Sequence, residues 1–244
     1  MMDLNFNRAA LVGLLGSLTL IQACSSDSND DDNDQGDDIT PASFQISATN
    51  LTTGQPFSPP LLILHDGSYQ LFSVGESAGN GLEVLAEGGD GSALTAEVTD
   101  LATVYATAAG DAPVGPGASG SWVISDPDNH SALSLTMATM LVNTNDAFTG
   151  INSMDLSALA VGESMDLTAI AYDSGTEANS ESVGTIPGPA DGGEGFNAAR
   201  DDLNDQVTMH SGVVSQADGL SESILGEQHR FLNPVIHITV SRTE

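Results

Sequence analysis

The apolar residues of this 244-residue chain repeat in short runs from Phe44 onward, and that rhythm limits its fold more than any other feature. In FQISATNLT, Phe44, Ile46 and Ala48 alternate with Gln45, Ser47 and Thr49, the period of a strand with one dry face and one wet one. SALSLTMATMLVN sets Leu133, Leu135 and Met137 on one face, and SMDLTAIAY does the same with Met165, Leu167, Ala169 and Ala171. PVIHITVSR closes the chain with Ile236, Ile238 and Val240 aligned, which turns His237 to the outer face. PLLILHD and YQLFSVG read as two more strands, joined by a turn at Gly67 and Ser68. GLEVLAEGG and LTAEVTDLATVYATAAG read as helices. Glycine and proline interrupt the chain about every 10 to 15 residues. Short strands with regular breaks predict a mainly β protein, an antiparallel β-sandwich with one or two short helices.

The N-terminal part has a different composition. Arg8 precedes AALVGLLGSLTLI, and these 13 residues, Ala9 to Ile21, are too few to span a bilayer, which takes about 20. They have the length of the apolar part of a secretory signal, so residues 1–23 are read as a signal peptide. The run ends in Ile21-Gln22-Ala23-Cys24, and Cys24 is the chain's one cysteine. This tetrapeptide resembles the lipobox of bacterial lipoproteins, which implies a lipidated Cys24 at the mature N-terminus and an exported, membrane-anchored protein. Ser25, a residue other than Asp after the cysteine, implies sorting to the outer membrane in a Gram-negative cell. SSDSNDDDNDQGDD follows without one hydrophobe, so residues 25–41 are expected to be a solvated acidic tether, about 60 Å long at full extension. It is not a calcium-binding EF-hand, because Gln35 replaces the required glycine and Pro41 the final glutamate. The folded domain is expected over residues 42–243.

Net charge excludes some functions. The chain carries −30, with four arginines and no lysine. Such a surface repels phosphate backbones, which argues against nucleic-acid partners, while it suits saline surroundings and divalent cations. Enzyme signatures fail as well. GPGASG (Gly115 to Gly120) matches a dinucleotide-binding string but contains Pro116 and leads into a strand pattern where a helix should open. None of the five histidines forms a spaced pair that suggests zinc, and Trp122 reads as a core residue.

The acids at strand ends carry the remaining chemistry. Asp126 and Asp128 follow VIS, Asp146 lies in VNTNDAFTG, and Asp173 and Glu177 flank a glycine turn in AYDSGTE. A sandwich gathers its loops at two ends, so such acids can converge on calcium, which takes six to eight oxygens. Asp, Ser and Gly are also ordinary turn formers, and spacing alone leaves both readings open.

MLVNTNDAFTGI followed by LTAIAYDSGTE resembles the spondin N-terminal domain, a family of extracellular matrix proteins and of many bacterial secreted ones. The family has a strand ending in Ser-Pro-Asp-Trp-x-x-Gly and then Leu-Tyr-Pro-x-Asp-Ala-Gly-Thr-Asp. Asn145 to Gly150 keep the Asp and the Gly of the first motif, with Ala147 where the family has an aromatic residue. Tyr172 to Glu177 keep nearly all of the second, with Glu177 for its last Asp. IPGP from Ile186 and NPVIHITVSR from Asn233 also resemble the family's ending. The resemblance runs from Phe44 to Arg242 and is sharpest between Met140 and Pro189. It implies a C2-like antiparallel sandwich with calcium held by Asp146, Asp173 and Glu177. Asp126, or Asp128 beside it, would be an upstream fourth ligand. It also implies a non-catalytic role in adhesion or surface recognition, toward an extracellular protein or a polysaccharide. Two alternatives stand beside it, a metal-free structural envelope protein and a hydrolase using Asp173 and Glu177 as acid and base.

Overall fold

The computed structural model describes residues 40–244. The signal peptide, Cys24 and nearly all of the expected acidic tether lie outside the described residues.

Ten strands form two antiparallel sheets. In chain order, β1 is Ala42–Asn50, β2 Leu61–His65, β3 Val104–Ala109, β4 Ser119–Asp126 and β5 Ser134–Met140. They are followed by β6 Ala147–Asp155, β7 Ser164–Ala169, β8 Ala171–Asp173, β9 Thr208–Met209 and β10 Ile236–Arg242. One sheet has the order β4-β1-β10-β7 and the other β3-β2-β5-β6-β8-β9. The first and last strands therefore pair at the centre of the small sheet, with Phe44 opposite Arg242 and Asn50 opposite Ile236. The chain is a mainly β antiparallel sandwich, as its periodicity predicts.

The alternating residues meet between the sheets. Phe44, Ile46 and Ala48 of β1 pack with Leu135 and Met137 of β5 and with Ile236, Ile238 and Val240 of β10. Fully burying a side chain such as Phe44 or Ile46 contributes about 1.5–3 kcal/mol. A second core lies on the outer face of the larger sheet. There Leu61, Ile63, Ala138 and Phe148 are covered by Leu82, Leu85 and Ala86 of helix α1 (Asn80–Gly88) and by Leu94 and Val98 of α2 (Ser92–Thr99). That cover explains why LLILH in β2 is an unbroken apolar run, since all five of its residues are buried.

Three segments depart from the periodicity. The expected second helix ends at Thr99, and Val104–Ala109 becomes β3, pairing with β2 from Leu61 opposite Ala109. An open edge on β2 offers this Val-, Tyr- and Thr-containing stretch a ladder of hydrogen bonds that an isolated helix cannot match. YQLFSVG forms no strand. Its backbone bonds to a side chain instead, Leu71 N donating to Asn152 Oδ1 at 2.9 Å and Asn152 Nδ2 donating to Phe72 O at 2.8 Å. The run from Ser164 to Asp173 divides at Ile170, so that β7 pairs with β10 while β8 pairs with β6 in the other sheet. Its inward alternation continues across the break, with Met165, Leu167, Ala169 and Ala171 all packed on the inter-sheet core.

Candidate metal centre

β5 ends at Met140, and a tight turn carries the chain back into β6 at Ala147. Thr144 fixes that turn, its hydroxyl donating to Leu141 O at 2.6 Å and accepting from Ala147 N at 3.1 Å. Asp146 therefore precedes a strand, where the sequence pattern had it ending one. Ala147 pairs with Asp173, which places Asp146 against the turn that leaves β8.

Two glycines near this turn allow close backbone approaches. Gly150 has φ of 154°, and a Cβ there would stand 1.8 Å from Met137 O. Gly175 has φ of 73°, and its Cβ would stand 2.4 Å from Gln206 O. Only glycine allows both the backbone conformation and the approach.

The turn from Asp173 to Glu177 wraps the Asp146 carboxylate. Asp146 Oδ2 accepts from Ser174 Oγ at 2.9 Å, Thr176 N at 2.9 Å and Glu177 N at 3.1 Å. Asp146 Oδ1 is buried and accepts nothing. Close to Glu177 lies a residue that the motifs did not single out, Glu87 in the last turn of α1. It is fully buried, its Oε2 accepts from Asn197 N at 2.8 Å, and its Oε1 has no partner. Glu177 is half-buried and borders a pocket of about 80 Å³ with Asn145, Glu194, Asn197 and Asp201.

The electrostatics record the crowding. Burial, and then the Asp173 charge, push the Asp146 carboxyl up to about 7. Burial, and then the charges of Glu87 and Asp146, push Glu177 up to about 8. Burial also raises Glu87, with the Asn197 N–H, the Thr176 hydroxyl and the Arg200 charge opposing it. Arg200 holds α1 in place, its guanidinium reaching Glu83 at 2.6 Å, Asp205 at 2.7 Å and Ala78 O at 2.8 Å. Glu83 lies one helical turn before Glu87, so this clamp anchors the helix that carries both.

Asp173 belongs to the same loop but is committed differently. Its Oδ1 accepts from Gly175 N at 2.9 Å and its Oδ2 from Asn179 Nδ2. Beside it His210 is buried, and its Nδ1 accepts from Gly212 N at 2.9 Å, which places the ring proton on an unpartnered Nε2. Burial lowers the His210 pKa against the pull of Asp173, so the ring is held neutral.

Asp126 does not join the other acids. It ends β4 opposite Ala42, and the chain enters β5 from that side at Ser134, whereas Asp146 lies beyond Met140 at the far end of β5. Asp126 and its alternative Asp128 therefore sit at the opposite end of the sandwich, and neither can complete a site with Asp146. Asp126 instead receives the backbone N–H and ring Nδ1 of His130, the latter at 2.9 Å, and the His130 ring stacks on Tyr105 at 3.8 Å. Asp126, Asp128 and His130 form the one group among the described residues with three donor atoms all within 4.8 Å. Both Asp126 oxygens there are occupied by its own turn.

The site thus consists of Asp146, Glu177 and Glu87, with Asp173 behind them. Its donors are hard carboxylate oxygens with no thiolate or free imidazole among them, which suits calcium or magnesium rather than zinc or copper. The residues fit a cation on one specific ground: two buried oxygens, Glu87 Oε1 and Asp146 Oδ1, lack any partner, and carboxylates so placed need a proton or a cation. No three of these acids bring oxygens within 4.8 Å of one another, so a cation here must draw one arm inward. Glu177, half-buried at a pocket edge, has the room to move.

The described residues thus form a mainly β antiparallel sandwich with an acid-bearing glycine turn at one end. The family model of the spondin N-terminal domain (Spondin_N) matches residues 48–185, more than half of the chain, and the chain belongs to that family. The match contains β2 through β8 and every residue of the acid site. The family is not known as one of enzymes. No curated protein matches the chain.

Proposed function

We propose that this spondin-domain protein is a calcium-binding, non-catalytic recognition module held at the outer membrane of a bacterial envelope by a lipid on Cys24. The observation that carries the calcium reading is the pair of orphaned buried oxygens, Glu87 Oε1 and Asp146 Oδ1, whose charges both act on Glu177. Leaving both carboxylates charged in a dry site costs several kcal/mol each, and one divalent cation offsets that cost. The role of the ion is architectural. Glu87 comes from α1, Asp146 from the β5–β6 turn and Glu177 from the loop after β8, so one ion ties three elements together. The loops so fixed present a constant surface to a partner.

Anchoring at the envelope rests on Ile21-Gln22-Ala23-Cys24 after an apolar run, and the role in adhesion rests on the family. A carboxylate hydrolase is disfavoured, because both Asp173 oxygens are bound within its own loop. Calorimetric titration of calcium tests the reading. The wild-type chain is expected to bind one ion and the Glu87→Gln variant to bind at least tenfold more weakly, the effect of losing about 1.4 kcal/mol. Equal binding by both, or no heat with either, would refute it.

A further inference from the structure

A cavity of about 610 Å³ opens beside the acid-bearing loops, between the turn after β1, the segment after β9 and the approach to β10. This volume is within the range of small-molecule sites. One wall is apolar, formed by Leu51, Val213, Phe231 and Leu232, and Glu227 and Arg230 stand on the rim. Leu51 is 45% exposed and Leu232 89% exposed. Two exposed leucines lining a pocket, on a chain of net charge −30, mark a contact surface.

The rim narrows the ligand class. Arg230 Nη2 donates to Asp218, while its Nε lies 3.3 Å from Glu227 Oε1 without making a hydrogen bond. A guanidinium has five donors, so several are left over, and Glu227, 73% exposed, has acceptors to spare. An anionic ligand would meet Glu227, and a cationic one would meet Arg230. A wholly apolar ligand would strip water from the ions without replacing its hydrogen bonds. A neutral ring with one apolar C–H face and hydroxyls at its edge satisfies both wall and rim. We propose that this pocket binds a neutral sugar residue of a polysaccharide.

The pocket is tied to the acid-bearing end of the sandwich. Buried Gln55 donates to Asn143 O at 3.1 Å and to His229 O at 2.9 Å, and accepts from Asn143 N at 3.1 Å, joining the turn before Asp146 to the segment carrying Arg230. His210, beside Asp173, accepts from Gly212 N and packs its ring 5.4 Å from that of Phe231. The inference names a ligand for the recognition role proposed above and rests on that role, but not on the cation.

Saturation-transfer NMR on the full chain tests it, using the methyl glycosides of glucose, galactose, mannose and N-acetylglucosamine at millimolar concentration in EDTA. At least one glycoside is expected to receive saturation. Leu232→Glu, at a side chain outside the core, and Arg230→Gln are each expected to weaken its binding about tenfold, the loss of one good contact. No transfer to any of the four would overturn the inference, and so would transfer that both variants leave unchanged. Calcium calorimetry on the same samples reports the acid site separately, so the two readings fail independently.

Discussion

Replacing Asp146 by Asn separates a buried charge from a mere turn former. The Asp146 carboxyl is fully buried and pushed from 3.8 up to about 7. A carboxyl with a raised pKa binds its proton more tightly in the folded chain than in the unfolded one. Stability present near pH 4 is therefore lost as pH rises through about 7. Three powers of ten in proton affinity correspond to on the order of 4 kcal/mol, an upper bound because water entry relieves part of a buried charge. For a domain of this size each kcal/mol moves the unfolding midpoint by about 2–4 °C. Only the part between pH 5.5 and about 7 enters that comparison, at most about 2 kcal/mol, so metal-free wild-type protein is expected to melt up to about 4–8 °C lower at pH 8 than at pH 5.5. Asn keeps one carbonyl oxygen for Ser174, Thr176 and Glu177 and puts a neutral amide where the orphaned oxygen stood. In EDTA at pH 8 the Asp146→Asn variant should melt above wild type and should lose the Asp146 share of the pH dependence, while the share of Glu177 remains. With calcium at 100 times its dissociation constant, wild type should gain about 2.7 kcal/mol and the variant nothing. Scanning calorimetry at the two pH values, with and without calcium, reads all of this. A variant less stable than wild type in EDTA at pH 8, together with a flat wild-type pH profile, would show that Asp146 is held as a satisfied turn residue and carries no charge penalty.

Four further outcomes are expected. Gly150→Ala would drive a Cβ to 1.8 Å from Met137 O, so it should cost more than about 4 kcal/mol and leave little folded protein by circular dichroism. Asp126→Asn should leave the calcium titration unchanged, because Asp126 lies at the opposite end of the sandwich, and should loosen the stacked His130, read by NMR of its ring. Arg200→Gln should destabilise by about 3 kcal/mol in urea unfolding, since Glu83 is 4% exposed and would lose its partner. Cys24→Ser should abolish incorporation of labelled palmitate and release the protein from the membrane fraction.

The sequence by itself determined the sandwich and half of the candidate site. Period-two alternation is a local property, so Phe44-Ile46-Ala48 and Ile236-Ile238-Val240 announce their strands and their buried face before any partner is known. The turn Asp173-Ser174-Gly175-Thr176-Glu177 is equally local, since a glycine with φ of 73° and the acids beside it lie within five residues. Tertiary structure decided what depends on partners far along the chain. Val104–Ala109 became a strand because β2 offered an open edge, and YQLFSVG did not because Asn152 satisfied its backbone first. Asp126 and Asp146 look alike as acids beside strands, but β5 runs between them and sends them to opposite ends. Glu87 was hidden in a helical pattern where acids are usually solvated. The trace that could have disclosed it is the pair Glu83 and Glu87, four residues apart beside the apolar stripe of Leu82, Leu85 and Ala86. Only packing α1 on the outer face of the larger sheet brings that carboxylate near Glu177, because a site assembled from three separate elements has no spacing in the sequence to record it.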